Sequence, residues 1–184
     1  MFIKVEETPN PDTLKFIPEK VLGLDNNIFL KRTDELIQYP IAQEIFKLEG
    51  VKSILLDNDF ISITKNEKES WDYLKTIITS KVGSFLENNK EIKIQGVKES
   101  KEERKFSETE MKIKELLETR VKPVVASHGG EISFNSFKDG TVYLELKGSC
   151  AGCPSSTATL KMGIENMLKH YHKDIKEVVE INKL

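Results

Sequence analysis

Cys150 and Cys153 are the only two cysteines in the chain of 184 residues, and they stand in the run Gly148-Ser149-Cys150-Ala151-Gly152-Cys153-Pro154. Paired thiolates at this spacing are soft donors, suited to an iron–sulfur cluster, to zinc or to Cu(I). The pair comes directly after the alternating stretch Thr141–Leu146, which reads as a half-buried strand. It comes directly before a stretch that places Leu160, Ile164, Met167, Leu168 and Tyr171 on one helical face. Pro154 suits the first position of that helix, where a missing N–H costs nothing. Unpaired N–H groups at a helix start carry partial positive charge and favour thiolate over thiol. That field contributes roughly 0.3–1 kcal/mol in exposed settings. Gly148 and Gly152 keep side chains away, so a bulky inorganic group can approach the backbone.

Spacing alone leaves thiol–disulfide exchange, zinc binding, an iron–sulfur cluster and plain buried cysteines all open. A thioredoxin-like site needs a later proline facing the disulfide, and no proline follows Pro154. Zinc wants two further ligands. His170 and His172 lie two apart on a helix and point to different faces, so they do not fit the usual H-x₃₋₅-H partner spacing. A [4Fe–4S] cluster usually takes four thiolates. Two copies of this chain would supply them, so the expected arrangement is a homodimer with one cluster between subunits. Such a cluster is less enclosed than one held by a single chain, which suits delivery. His128-Gly129-Gly130-Glu131 reads as a helix C-terminal cap. Its functional alternative is a flexible wall near the cluster, with His128 as an occasional ligand.

The elements that must hold this pair form the second of two domains. The first spans residues 1–96. Phe2–Val5, Leu14–Ile17 and Ile28–Leu30 read as strands, with Pro9, Asn10 and Pro11 forcing a turn between the first two. Pro40 opens a helix carrying Ile41, Ile45, Phe46 and Leu48, with Gly50 as its expected cap. Val51–Leu56 and Phe60–Thr64 flank Asp57, Asn58 and Asp59 as a hairpin. Leu74, Ile77, Ile78, Val82 and Phe85 mark a helix over Trp71–Leu86. Ile92 and Ile94 suggest a last short strand. Residues 97–106, including the fully polar run KESKEERK, read as a charged linker. The second domain, residues 107–184, opens with a capping box from Ser107 and Glu110. Ile113, Leu116, Leu117, Val121 and Val124 form the apolar face of its first helix, which Pro123 should end or kink. Ile132–Phe137, the Asp139-Gly140 turn and Thr141–Leu146 follow, then the cysteines, a helix, and a strand over Val178–Ile181. The fold class is therefore α+β: two small α/β-sandwich-like domains, the C-terminal one in the order α-β-β-α-β.

Apolar residues make up 38% and charged residues 32%, with a net charge of -2. That mixture excludes a basic footprint for nucleic acid. No apolar run approaches the ~20 residues of a membrane helix. No phosphate-binding loop is present, so ATP-driven transfer within this chain is not expected. The opening MFIKVEETPNPDTLKFIP has no sustained apolar segment and is too acidic for a transit peptide, which makes a bacterial cytoplasmic address the expectation.

The run GSCAGCPSSTATLKMGIENMLKHY resembles the cysteine region of the NifU C-terminal domain family, and IKELLETRVKPVVASHGGEI resembles that domain's first helix and glycine turn. TPNPDTLKFIP, Pro40-Ile41-Ala42, LEGVKSI and DFISITK resemble the Nfu N-terminal domain. Together they cover nearly everything except Lys98–Lys105. The resemblance implies an iron–sulfur cluster scaffold or carrier and no enzyme. It implies a [4Fe–4S] cluster at a dimer interface, held by Cys150 and Cys153 and passed to apo iron–sulfur proteins after receipt from upstream assembly proteins. A [2Fe–2S] cluster is the other type the pair would accept. The chain departs from the family pattern at His128, where an acidic residue is expected, and at Glu131, where aspartate is common.

Overall fold

In the computed structural model the chain divides into two compact units, Met1–Val97 and Lys98–Leu184. The structure describes residues 1–24, 26–32, 39–89, 106–151 and 156–181. The strand expected around Ile92 and Ile94, the charged linker and Cys153 lie outside the described residues.

The N-terminal unit is a five-stranded antiparallel sheet in the order β1-β2-β5-β4-β3. Its strands are β1 (Ile3–Glu7), β2 (Thr13–Pro18), β3 (Ile28–Lys31), β4 (Val51–Leu56) and β5 (Ile61–Lys65). Helices α1 (Pro40–Phe46) and α2 (Trp71–Asn88) complete it. Register explains the core. Leu14 pairs with Ile63, Ile63 with Ile54, and Ile54 with Leu30, so one apolar row crosses four strands. Phe16, Ile61, Leu56 and Ile28 form a second row. Strand residues two apart share a face, so both rows project toward Ile41, Ile45, Leu74, Ile78 and Val82 of the helices.

Gly50 departs from its expected role. α1 ends at Phe46 and is followed by Lys47 in helical conformation, and Gly50 does not take a positive φ. A Cβ there would sit 3.0 Å from Leu74 Cδ1 and 3.0 Å from Glu69 Cγ. Close packing against the Glu69 and Leu74 side chains, not helix termination, is what the glycine serves. The last turn of α1 is tied instead by the Arg32 guanidinium, which donates to the carbonyls of Phe46 at 2.8 Å and Val51 at 2.9 Å.

The C-terminal unit holds α3 (Glu108–Leu116), a π-helical turn (Leu117–Val121), α4 (Lys122–Ser127), β6 (Gly130–Lys138), β7 (Thr141–Gly148), α5 (Ser156–Tyr171) and β8 (Glu177–Glu180). β6 and β7 form an antiparallel hairpin about Asp139 and Gly140, both at positive φ as a tight hairpin turn demands. β8 pairs with β7 in parallel, so α5 is a crossover between parallel strands. Ser107 and Glu110 form the expected capping box.

Pro123 distorts the first helix in an unforeseen way. The Lys122 N–H reaches the Leu117 carbonyl, five residues back, directly before a proline that has no N–H to offer Thr119. The wide turn moves the apolar stripe. Residues four apart drift about 40° per step in a regular helix, so Val125 would lie about 120° from Ile113. The π turn withdraws that drift. Ile113, Leu117, Val121 and Val125 all enter the core, while Val124, expected inside, is 54% exposed. Tyr171 also leaves the predicted face. It is half exposed, and the Arg120 guanidinium stacks over its ring at 5.4 Å.

Candidate functional site

Cys150 lies just beyond the end of β7 and ahead of α5. This is the carboxyl end of a parallel strand leading into a crossover helix, where α/β units commonly place ligands. Alternation along β7 turns Val142, Leu144 and Leu146 into the core. Gly148 then takes a φ of 64° and bends the chain, and the Ala151 N–H closes the bend on the Gly148 carbonyl at 3.1 Å. Cys150 is 6% exposed and packs with the core that includes Val125 and Ile132.

The facing wall comes from the end of α4. His128 and Gly129 close that helix, Gly129 with a φ of 75° and its N–H on the Ala126 carbonyl at 2.9 Å. The expected cap is therefore present. Gly130 begins β6 and pairs with Gly148, so the glycine turn and the cysteine turn lie side by side. Ser149 joins them. Its hydroxyl donates to the His128 carbonyl at 2.6 Å, and its N–H donates to the Gly129 carbonyl at 3.1 Å. His128 contributes its backbone here, while its side chain is exposed. Its expected placement as a wall beside the cysteine holds for the backbone.

Sequence reasoning singled out the cysteines and the glycine pair but passed over Ser149. Its place directly before Cys150 was the available signal. Cys153 lies outside the described residues, so its distance from Cys150 is not part of the site's geometry. Among the described residues, no three His, Cys, Asp or Glu side chains gather as a metal site. His170 and His172 sit at the far end of α5 from Cys150. Also among the described residues, no helix is long and apolar enough to cross a membrane.

The fold and site define a two-unit α+β protein whose C-terminal unit offers a soft sulfur donor in a glycine-lined recess. Residues 113–179 match the NifU-like domain, and residues 3–89 match the domain described as scaffold protein Nfu/NifU N terminal. The human NFU1 iron-sulfur cluster scaffold homolog, mitochondrial, is 38% identical over 98% of this chain and 72% of its own length. NifU-like protein 4, mitochondrial, from Arabidopsis thaliana is 38% identical over 97% of this chain and 65% of its own. A Drosophila persimilis relative, also named as the mitochondrial NFU1 scaffold homolog, is 38% identical, and the chain again spans 65% of it. A NifU-like protein from Saccharomyces cerevisiae solved by NMR overlaps 50% of this chain and 83% of its own at 29% identity and a TM-score of 0.46. This chain belongs to the Nfu/NifU family of scaffold proteins.

The relatives correct one expectation. A bacterial cytoplasmic address does not stand against relatives named as mitochondrial. The reason is physical. Targeting information sits in segments apart from the folded domains and is removed after use, so the composition of a domain's first strands carries no record of compartment.

Proposed function

We propose that this chain is an iron–sulfur cluster scaffold and carrier. Its cargo is a labile [4Fe–4S] cluster held between two copies, with Cys150 and Cys153 of each as the four thiolates. It acts by holding and handing over, not by catalysis. The observation that carries the reading is the donor count: a chain with two cysteines, one of them in a glycine-lined recess, in a family of scaffold proteins. Zinc would also accept four thiolates from two copies, so membership of a scaffold family favours the cluster and metal analysis separates the two.

Transfer is a ligand exchange with no change of oxidation state. A thiol of the recipient loses its proton and bonds to iron. The matching bond from iron to a carrier cysteine breaks, and that thiolate takes up a proton. Repetition at each iron moves the cluster whole. Recipients are therefore apo iron–sulfur proteins with cysteines waiting, and donors are the proteins that assemble the cluster upstream.

Anaerobic reconstitution with ferrous salt and sulfide tests this, with iron, sulfide and solution mass measured together. The expected outcome is about two irons and two sulfides per chain, with a shift from monomer to dimer. About one of each per chain in a dimer would indicate a [2Fe–2S] cargo instead. Colourless monomer, or stoichiometric zinc without sulfide, would sink the proposal. Disulfide reductase turnover by metal-free protein would favour thiol–disulfide exchange.

A further inference from the structure

The Cys150 sulfur lies in a notch that exists because residue 130 is glycine. A Cβ on Gly130 would stand 2.5 Å from Cys150 Sγ, 3.1 Å from Ser149 Oγ and 3.2 Å from Val125 Cγ1. The sulfur thus fills the volume that a side chain would take. Gly130 is not among the positive-φ glycines, so its backbone conformation would tolerate alanine. The neighbouring sulfur would not. The turn that carries the sulfur is fastened by Ser149, 3% exposed, through the two hydrogen bonds to His128 and Gly129.

We propose that Gly130 and Ser149 are positioning residues that park the Cys150 sulfur in the cargo-free chain, Gly130 as the notch and Ser149 as the clip, and that the sulfur swings out to bind. The use of this device rests on the carrier reading above, but the parked sulfur is a property of the cargo-free chain. A metal-bound thiolate needs an open side for the metal. In the notch the sulfur lies against Gly130, where a Cβ would stand 2.5 Å away, and Cys150 as a whole is only 6% exposed. A buried sulfur is shielded from oxidants and electrophiles, so parking protects the thiol between loads. Rotation about the Cα–Cβ bond, with the turn loosened, brings the sulfur out.

Alkylation of the full-length Cys153→Ser chain by iodoacetamide, without iron, reads the parking directly, because Cys150 is then the sole thiol. In that background Gly130→Ala should push the sulfur outward and raise the rate at least about twofold. Ser149→Ala should raise it about fivefold, the shift expected from losing one ordinary hydrogen bond. Ser149→Thr keeps the hydroxyl and should restore the slow rate. Circular dichroism melts identify variants that remain folded. If Gly130→Ala does not fold, the Ser149 pair decides. Unchanged rates in the folded variants, or equal rates for the alanine and threonine variants, would overturn the proposal. With both cysteines present, Ser149→Ala should take up iron and sulfide faster than the parent. An equal rate would overturn the claim that binding waits on the swing. Failure of the parent to load at all would sink the carrier reading, while the alkylation rates would still report the parked sulfur.

Discussion

Serine in place of Cys150 or Cys153 exchanges a soft, ionisable sulfur for a hard oxygen that iron–sulfur clusters bind poorly. In the two-copy arrangement proposed above, each single substitution removes two of the four ligands. Cys150→Ser and Cys153→Ser are each expected to abolish stable loading, measured as bound iron and sulfide after anaerobic reconstitution. A single variant that stays fully loaded would mean that other ligands complete the site. A second residue-scale effect lies far from the cysteines. Burial of Asp57, in the turn between β4 and β5, raises its carboxyl above the usual range, against the lowering pull of the hydrogen bond it accepts from the Asp59 N–H. The folded chain therefore holds this proton more tightly than the unfolded chain. The residue costs stability at neutral pH, and the cost fades as pH falls through its raised pKa. Asp57→Asn should raise the melting midpoint at pH 7 and lose that advantage in acid, as followed by melts across pH.

At the scale of elements, the capping box at the head of α3 and the π turn behind it set how the first helix of the C-terminal unit meets its core. The Ser107 side chain accepts from the Glu110 N–H at 3.2 Å, and the Glu110 carboxylate accepts from the Ser107 N–H at 2.9 Å. Ser107→Ala removes one of the two bonds and should cost about 1 kcal/mol of unfolding free energy. A urea titration would detect it. A change within error would mean that packing of Ile113 and Leu117 alone holds the helix start. The other end of the unit is guarded by Glu165 of α5, whose carboxylate accepts from the Val178 N–H at 3.1 Å on edge strand β8. The bond to Lys169, and then that backbone bond, hold this carboxyl below its usual range. Its contribution is present at neutral pH and is lost as pH falls through the lowered pKa, opposite in sign to Asp57. Covering an outward N–H of an edge strand also blunts unwanted strand pairing.

At the scale of the whole molecule, each unit has an apolar cluster of its own, one built on Phe16, Ile61 and Ile78, the other on Ile113, Leu144 and Leu168. Both cysteines belong to the second unit. The segment Lys98–Leu184 produced alone is expected to fold and to take up iron and sulfide to the same ratio as the full chain. A folded segment that cannot be loaded would assign the N-terminal unit a part in holding the cargo.

Features set by neighbours in the chain could be read directly. The period of two in Thr141–Leu146, the helical spacing of Leu74, Ile78 and Val82, the capping box at Ser107 and the strand–Cys-x-x-Cys–helix order all follow from local patterns. So did the soft-donor chemistry, which depends on residue type. What required the tertiary structure involves residues distant in sequence or small shifts in phase. The order β1-β2-β5-β4-β3 and the parallel pairing of β7 with β8 arise from pairings that no local pattern encodes. Val125 replaced Val124 in the core because a π turn changed the helical phase. Gly50 proved to be a contact point for Leu74 and not a cap. Above all, the notch at Gly130 exists because β6 and β7 bring it beside a cysteine twenty positions later. Pairing of distant strands decides such a contact, and it leaves no periodic trace in the chain.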